Sequence, residues 1–272
     1  MEAIPIDGLT LLFDAEEKDV AQLIGEACKQ SVHLIHKHLG LDTPKDCRVY
    51  VMTSWYQFFF QSAPLHYRIL LILLLPILYF RIKKTWKFAG GWAQPYGKRR
   101  TVGVKPPHLI EKADLSLGRR IFIPTENKNE KVQHVTCHEL VHAFTSHLRL
   151  PMWLNEGLAM SMVDKFAHKP TVKDETLSYL TQSPDKKDPG SYRKTRITNK
   201  DALVYQTVRG YWLTRYLEDT QPELLRSILA QRSDHKIIEE RAATALGMSP
   251  EKFWETIDGV LVSHFPREGS IA

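Results

Sequence analysis

The chain is predicted to adopt an α+β fold, on three observations. Short strand-like runs are confined to its first half, a long segment without Pro or Gly follows at 126–150, and most of the remainder reads as helix. Leu9–Phe13 is the first expected strand. Asp14 then caps a helix to about Leu39, with Val20, Leu23, Ile24, Ala27, Val32, Leu34 and Ile35 on its apolar face, and Gly40 ends it. Arg48–Met52, Thr101–Val104 and Arg120–Ile123 are further strands by their β-branched, alternating character, giving a small mixed sheet. Asn127, with Glu130 three positions on, marks the start of the next helix. Val132, Val135, Val141, Phe144 and Leu148 give that helix its apolar stripe, and Pro151 ends it.

The polar stretch 168–198, containing Pro170, Pro184, Pro189 and Gly190, reads mostly as a loop or mobile cover. Asn199 caps an aromatic-rich helix to about 219, carrying Tyr205, Tyr211, Trp212 and Tyr216. Three short helices follow Pro222, the last opening at Ser249-Pro250. The expected organisation is one domain over 1–272: sheet and long helix in 1–150, a mainly helical part in 151–272, and a hydrophobic insertion at 65–84.

At 272 residues and 43% hydrophobic content, the chain can bury a substantial core. Cys28, Cys47 and Cys137 are odd in number and widely spaced, which excludes a CxxC metal pair and a disulfide framework and points to a reducing compartment. The first residues lack the basic start and apolar run of a secretory signal, so a cytoplasmic location is the expectation. The formal charge of +6 is concentrated in Arg81–Lys87, Lys98–Arg100 and Arg119-Arg120. Such clusters suit an anionic surface; no nucleic-acid module is visible, and nucleic acid is not an expected partner.

Ile69–Phe80 is almost unbroken aliphatic and aromatic sequence, preceded by Phe58-Phe59-Phe60 and flanked by Arg68, Arg81, Lys83, Lys84 and Lys87. As a helix it rises about 18 Å, short of the roughly 30 Å hydrocarbon core. A crossing would also separate the strand near Val49 from those after Thr101, which should share a sheet. Two readings stay open: a buried hydrophobic helix, or a segment dipping into one leaflet with basic flanks on anionic headgroups, peripheral at the membrane.

The chemistry concentrates at His138-Glu139-Leu140-Val141-His142 and Trp153-Leu154-Asn155-Glu156-Gly157. Positions i and i+4 share one helix face, so both imidazoles can reach one ion. Catalytic zinc takes three protein ligands and keeps a fourth position open, which Glu156 from a second helix would complete as an oxygen ligand. Glu139 stands where a carboxylate can hold and deprotonate water. Cys137 points about 100° away on the helix and is not an expected ligand. The competing reading is two core histidines and a capped Glu on a structural helix.

His138–His142 followed by Leu150-Pro151-Met152-Trp153-Leu154-Asn155-Glu156-Gly157-Leu158-Ala159 resembles the gluzincin metallopeptidases, in particular the peptidase MA-like group related to the aminopeptidases. The resemblance implies a zincin-like fold, one Zn²⁺ on His138, His142 and Glu156, Glu139 as catalytic base, and a peptide or protein substrate. It also implies a tyrosine near the start of the 199–219 helix facing the metal and donating to an oxyanion; Tyr205 is the expected residue and Tyr211 the reserve. Where thermolysin-type gluzincins carry an acidic residue four positions after the ligand Glu, this chain has Met160, leaving Asp164 as the candidate partner for the histidines. Gly90-Gly91-Trp92-Ala93 and Arg120–Ile123 are candidate backbone contacts for an extended substrate. Residues 90–97 contain no Asp or Glu, so aminopeptidase specificity is not implied. The alternative from another class is a weakly active or inactive zinc-binding scaffold at a membrane surface.

Overall fold

The computed structural model describes residues 1–112, 116–182 and 199–265. The fold is mixed α+β. In chain order the elements are β1 (Glu2–Ile6), β2 (Leu9–Phe13), α1 (Lys18–Leu39), β3 (Asp46–Val51), α2 (Trp55–Ser62) and α3 (Leu65–Phe88). Next come β4 (Gly91–Tyr96), β5 (Arg99–Val104), α4 (Pro107–Ile110), α5 (Gly118–Ile121), α6 (Lys128–Thr145) and α7 (Met152–Ala167). The chain closes with α8 (Leu177–Gln182), α9 (Lys200–Thr220), α10 (Pro222–Ala230), α11 (His235–Ala245) and α12 (Phe253–His264). Two compact units form: Met1–Ser116 with Pro124–Ser146, and Leu117–Ile123 with His147–Ala272.

The first unit is built on a five-stranded sheet of order β1-β2-β3-β5-β4. β2, β3 and β5 run parallel, while β1 and β4 pair antiparallel at the two edges. Asp7 and Gly8, both at positive φ, make the two-residue turn between β1 and β2, the primed geometry that suits the right-handed twist of a hairpin. Pro5 and Pro95 sit in the edge strands, where a missing ladder donor is tolerated. Successive side chains point to opposite faces. On one face α6 covers β4 and β5 and packs against α1. On the other, Tyr50 and Met52 meet Phe58, Phe59 and Ile82, with Trp55, Leu71, Leu78, Trp86 and Trp92 packed around them. Gly103 is required there: a Cβ would fall 2.7 Å from Met52 Sδ and 2.8 Å from Phe58 Cε2.

α3 answers the question left open for the hydrophobic insertion in an unexpected way. It is a single secondary-structure element twice the length of the apolar run, and it is apolar on both sides. One side joins the core cluster of the first unit; the other leaves large aliphatic residues exposed. Among the described residues no single helix is long and apolar enough to cross a membrane, and α3 passes such a test only as two pieces, Leu65–Phe80 and Ile82–Phe88, bent by 65°.

The second unit is helical. α7 and α9 cross at very short range because both carry glycine at the crossing. A Cβ on Gly157 would lie 2.3 Å from the Gly210 carbonyl oxygen and 2.0 Å from Thr214 Oγ1, and one on Gly210 would lie 2.5 Å from the Trp153 carbonyl oxygen. α8 and α12 also pack against α9.

The expected strands at Leu9–Phe13, Arg48–Met52 and Thr101–Val104 correspond to β2, β3 and β5. Gly40 ends α1 at a left-handed φ of 65°, and Asn127 and Asn199 cap α6 and α9 through their side chains. Several expectations are corrected. Asp14 does not cap the long helix: a short 3₁₀ turn, Ala15–Glu17, intervenes, and the Asp14 carboxylate accepts from Gln57 Nε2 instead. Arg120–Ile123 is no strand. It holds the end of α5 and a single bridge from Phe122 to Val172, its alternation being too short to pair. α6 ends at Thr145 rather than at Pro151, which instead stands at the N-cap of α7. The part of 168–198 that is described contains a 3₁₀ turn (Asp174–Thr176) and α8, while 183–198 lies outside the described residues. Ser249-Pro250 precedes the last helix by a turn, and α12 begins at Phe253.

Candidate metal centre

α6 forms because its cap and its apolar stripe agree. Asn127 Oδ1 accepts from the backbone N–H groups of Asn129 and Glu130, and Val132, Val141 and Phe144 are buried while Val135 is half-buried. On the half-buried side stand His138, Glu139 and His142. The helical rise stacks the two imidazoles, with Nε2 atoms 3.0 Å apart and rings nearly perpendicular. Two nitrogens bound to one tetrahedral ion at 2.0–2.1 Å would stand roughly 3.4 Å apart, so this pair needs only a small adjustment to share an ion.

Gly91 of β4 presses on the same turn. A Cβ there would lie 2.5 Å from Glu139 Cγ, 3.0 Å from its Oε1 and 2.8 Å from Val135 Cγ1. Only glycine lets the edge strand approach the carboxylate so closely. The glycine pair was legible as a substrate-contact candidate, whereas its role as the wall behind Glu139 was not: the two positions are 48 residues apart in the numbering and meet only through the sheet.

Glu156 lies in the second turn of α7. Between Pro151 and Val163 every residue is buried except Asn155 and Glu156, which are half-buried, so the helix offers the carboxylate at its one accessible place. A ligand atom from each of His138, His142 and Glu156 lies within 4.8 Å of the others. Among the described residues this is the group of three or more His, Cys, Asp or Glu side chains that could hold a metal ion. Two imidazole nitrogens and a carboxylate oxygen are a donor set suited to zinc and related divalent ions. No protein-family model, curated protein or solved structure matches this chain. The physical arrangement of the side chains therefore carries the reading.

The surrounding assignments change. Asp164 is not held for the histidines: its carboxylate accepts from Thr171 N (2.8 Å) and Oγ1 (2.7 Å), from the Tyr211 hydroxyl (2.7 Å) and from Arg215 Nη1 (3.3 Å). Tyr211, the reserve oxyanion donor, is committed to that contact, and burial together with Asp164 pushes its phenol pKa far up. Tyr205 is buried, and its hydroxyl donates to Asp258 Oδ2 at 2.5 Å. Arg209, fully buried, donates to the same hydroxyl and to Gln206 Oε1 and lies 4.4 Å over the Trp254 ring. Asp258 and Arg209 were missed from the sequence, where a lone Asp and Arg on amphipathic helices look like solvated surface. Cys137 is buried beside the first histidine, and burial pushes its thiol up to about 12, so it is a neutral core group and not a thiolate ligand.

Proposed function

We propose that the protein is a zinc-dependent metallopeptidase with a zincin-like fold, of the gluzincin, peptidase MA-like type. The observation that carries this is the convergence of His138, His142 and Glu156 to within 4.8 Å, with Glu139 on the same turn of α6. A zinc ion held there would supply a Lewis acid that lowers the pKa of water toward about 7 and polarises a carbonyl. Glu139 takes the proton of the attacking water and returns it to the leaving amine, which needs its carboxylate fixed against the Gly91 backbone. β4 ends the sheet beside that carboxylate, and its outer edge offers N–H and C=O groups to an extended peptide. Tyr205 serves as an oxyanion donor in this reading only by giving up the hydrogen bond its hydroxyl donates to Asp258 Oδ2.

The Tyr205–Asp258 hydrogen bond favours the second reading, a weakly active or inactive zinc-binding scaffold at a membrane surface, because the phenol already has a carboxylate partner. Glu139→Gln separates the two. Metal content by mass spectrometry is expected to stay at the wild-type ratio, while cleavage of a broad peptide library falls about 10³-fold. Equal behaviour of variant and wild type with zinc bound would establish the scaffold.

A further inference from the structure

We infer that the outward face of the Leu65–Phe80 piece of α3 is a docking surface for an anionic lipid leaflet, which that piece enters lying flat rather than by crossing. The inference is independent of the metal reading. Leu65, Ile69, Ile72, Leu73, Ile77 and Phe80 are between 57% and 76% exposed, and their spacing of three, four and one puts them along one side of the helix. The opposite side is already engaged. Leu71, Leu78, Ile82 and Trp86 pack on the cluster of Tyr50, Met52, Phe58 and Phe59, and the Tyr67 ring meets Tyr96 at 5.2 Å. Contacts at both ends hold α3 along the surface of the first unit, so its exposed face is a fixed stripe. Such an apolar stripe on a folded protein marks an interaction site.

Crossing is excluded by the sheet. β3, before the helix, and β5, after it, are direct parallel neighbours from Asp46↔Arg99 to Val51↔Val104. Both ends of α3 therefore stay on one side of any bilayer. The charge pattern selects lipid over a protein partner. Residues 65–88 contain no Asp or Glu, and Lys83, Lys84 and Lys87 stand exposed at the end of the apolar stripe. Between Ile69 and Ile77 no side chain carries a hydrogen-bonding group that could fix a protein's register. A dense apolar stripe with a rim of one sign fits acyl chains beneath anionic headgroups. Downstream, α3 leads into Gly90 and Gly91, which lie against Val135 and Glu139 of α6.

The test is co-sedimentation of the full chain with vesicles of phosphatidylcholine alone and of equal parts phosphatidylcholine and phosphatidylserine. Wild type is expected to pellet with the mixed vesicles, and Ile77→Glu/Phe80→Glu to lower that partition at least tenfold. Both positions face outward, so the variant should keep the wild-type circular dichroism, thermal midpoint and metal content. Lys83→Glu/Lys84→Glu should cost about tenfold on mixed vesicles, and about 1 M salt, where the Debye length is ~3 Å, should reduce wild-type binding in the same direction. Wild type remaining in the supernatant, or Ile77→Glu/Phe80→Glu binding as tightly as wild type, overturns the inference. So does a stable dimer by light scattering that the same pair of substitutions dissolves, since a second copy would then cover the stripe.

Discussion

A hydrogen where other residues carry a methyl, at position 91, decides where the Glu139 carboxylate stands, because a Cβ would intrude to 2.5 Å from its Cγ. Under the proposed function, Gly91→Ala is therefore expected to leave metal binding intact, the three nearest atoms to the added Cβ belonging to Glu139 and Val135, and to lower peptide cleavage about 10²-fold, the usual cost of displacing a reacting group by about 1 Å. Parallel measurement of metal content and kcat/KM checks this; a fall in metal content would place the damage on the ligands instead. Lys105 is a second residue whose neighbours set its chemistry. It is buried, its ammonium donates to the Trp86 carbonyl and sits 4.2 Å over the Trp86 ring, yet desolvation pushes its pKa down to about 8. Below pH 8 the folded state holds a proton less readily than the unfolded chain does, so this lysine weakens the fold at neutral pH. The penalty fades as pH rises from 8 to 10.5. Relative to Lys105→Met, wild type is expected to gain about 2–3 kcal/mol between pH 7 and pH 10 by urea denaturation. A flat difference would mean that Trp86 compensates the lost hydration.

At the scale of elements, the α7–α9 crossing matters most for the second unit, since α7 carries Glu156. Its close approach rests on paired glycines, and Gly157→Ala would drive a methyl into Thr214 Oγ1 and the Gly210 carbonyl. Overpacking of that kind costs about 1–3 kcal/mol, and backbone on one side leaves little room for relaxation. The expected outcome is a thermal midpoint lowered by several degrees in calorimetry, with the larger loss in Gly157→Val. α6 shows how much of an element local sequence can reveal: its cap, its stripe from Val132 to Phe144 and the i, i+4 histidines were legible, because each depends on local spacing alone, whereas Leu148, read as part of the stripe, lies beyond its end at Thr145. β1 and β4 were not read from the sequence. The Asp7-Gly8 turn was the available signal for β1, and Pro95 disguised β4, which tolerates proline only because it lies at an edge. α3 was legible as hydrophobic, but its two opposite environments depend on what packs against it.

For the molecule as a whole, a metal on His138, His142 and Glu156 would bind the folded chain and not the unfolded one, and so add to stability. At a free zinc concentration a hundred times Kd the gain is about 2.7 kcal/mol. Adding a chelator should lower the unfolding midpoint by roughly 5–10 °C in wild type, and by much less in His142→Ala. Equal shifts in both proteins would remove the candidate centre.

The linear order of residues by itself established the α+β class, the reduced cysteines, the capped helix with its two imidazoles and the position of Glu156, since these follow from spacing within one element or from composition. Only the tertiary structure decided that Gly91 backs Glu139, that Asp164 and Tyr211 hold each other, that Tyr205 meets Asp258 and that α3 keeps an apolar side exposed. Each of those joins residues dozens of positions apart. Periodicity says which face of an element is apolar, but the partner that covers the face is chosen by how the elements pack.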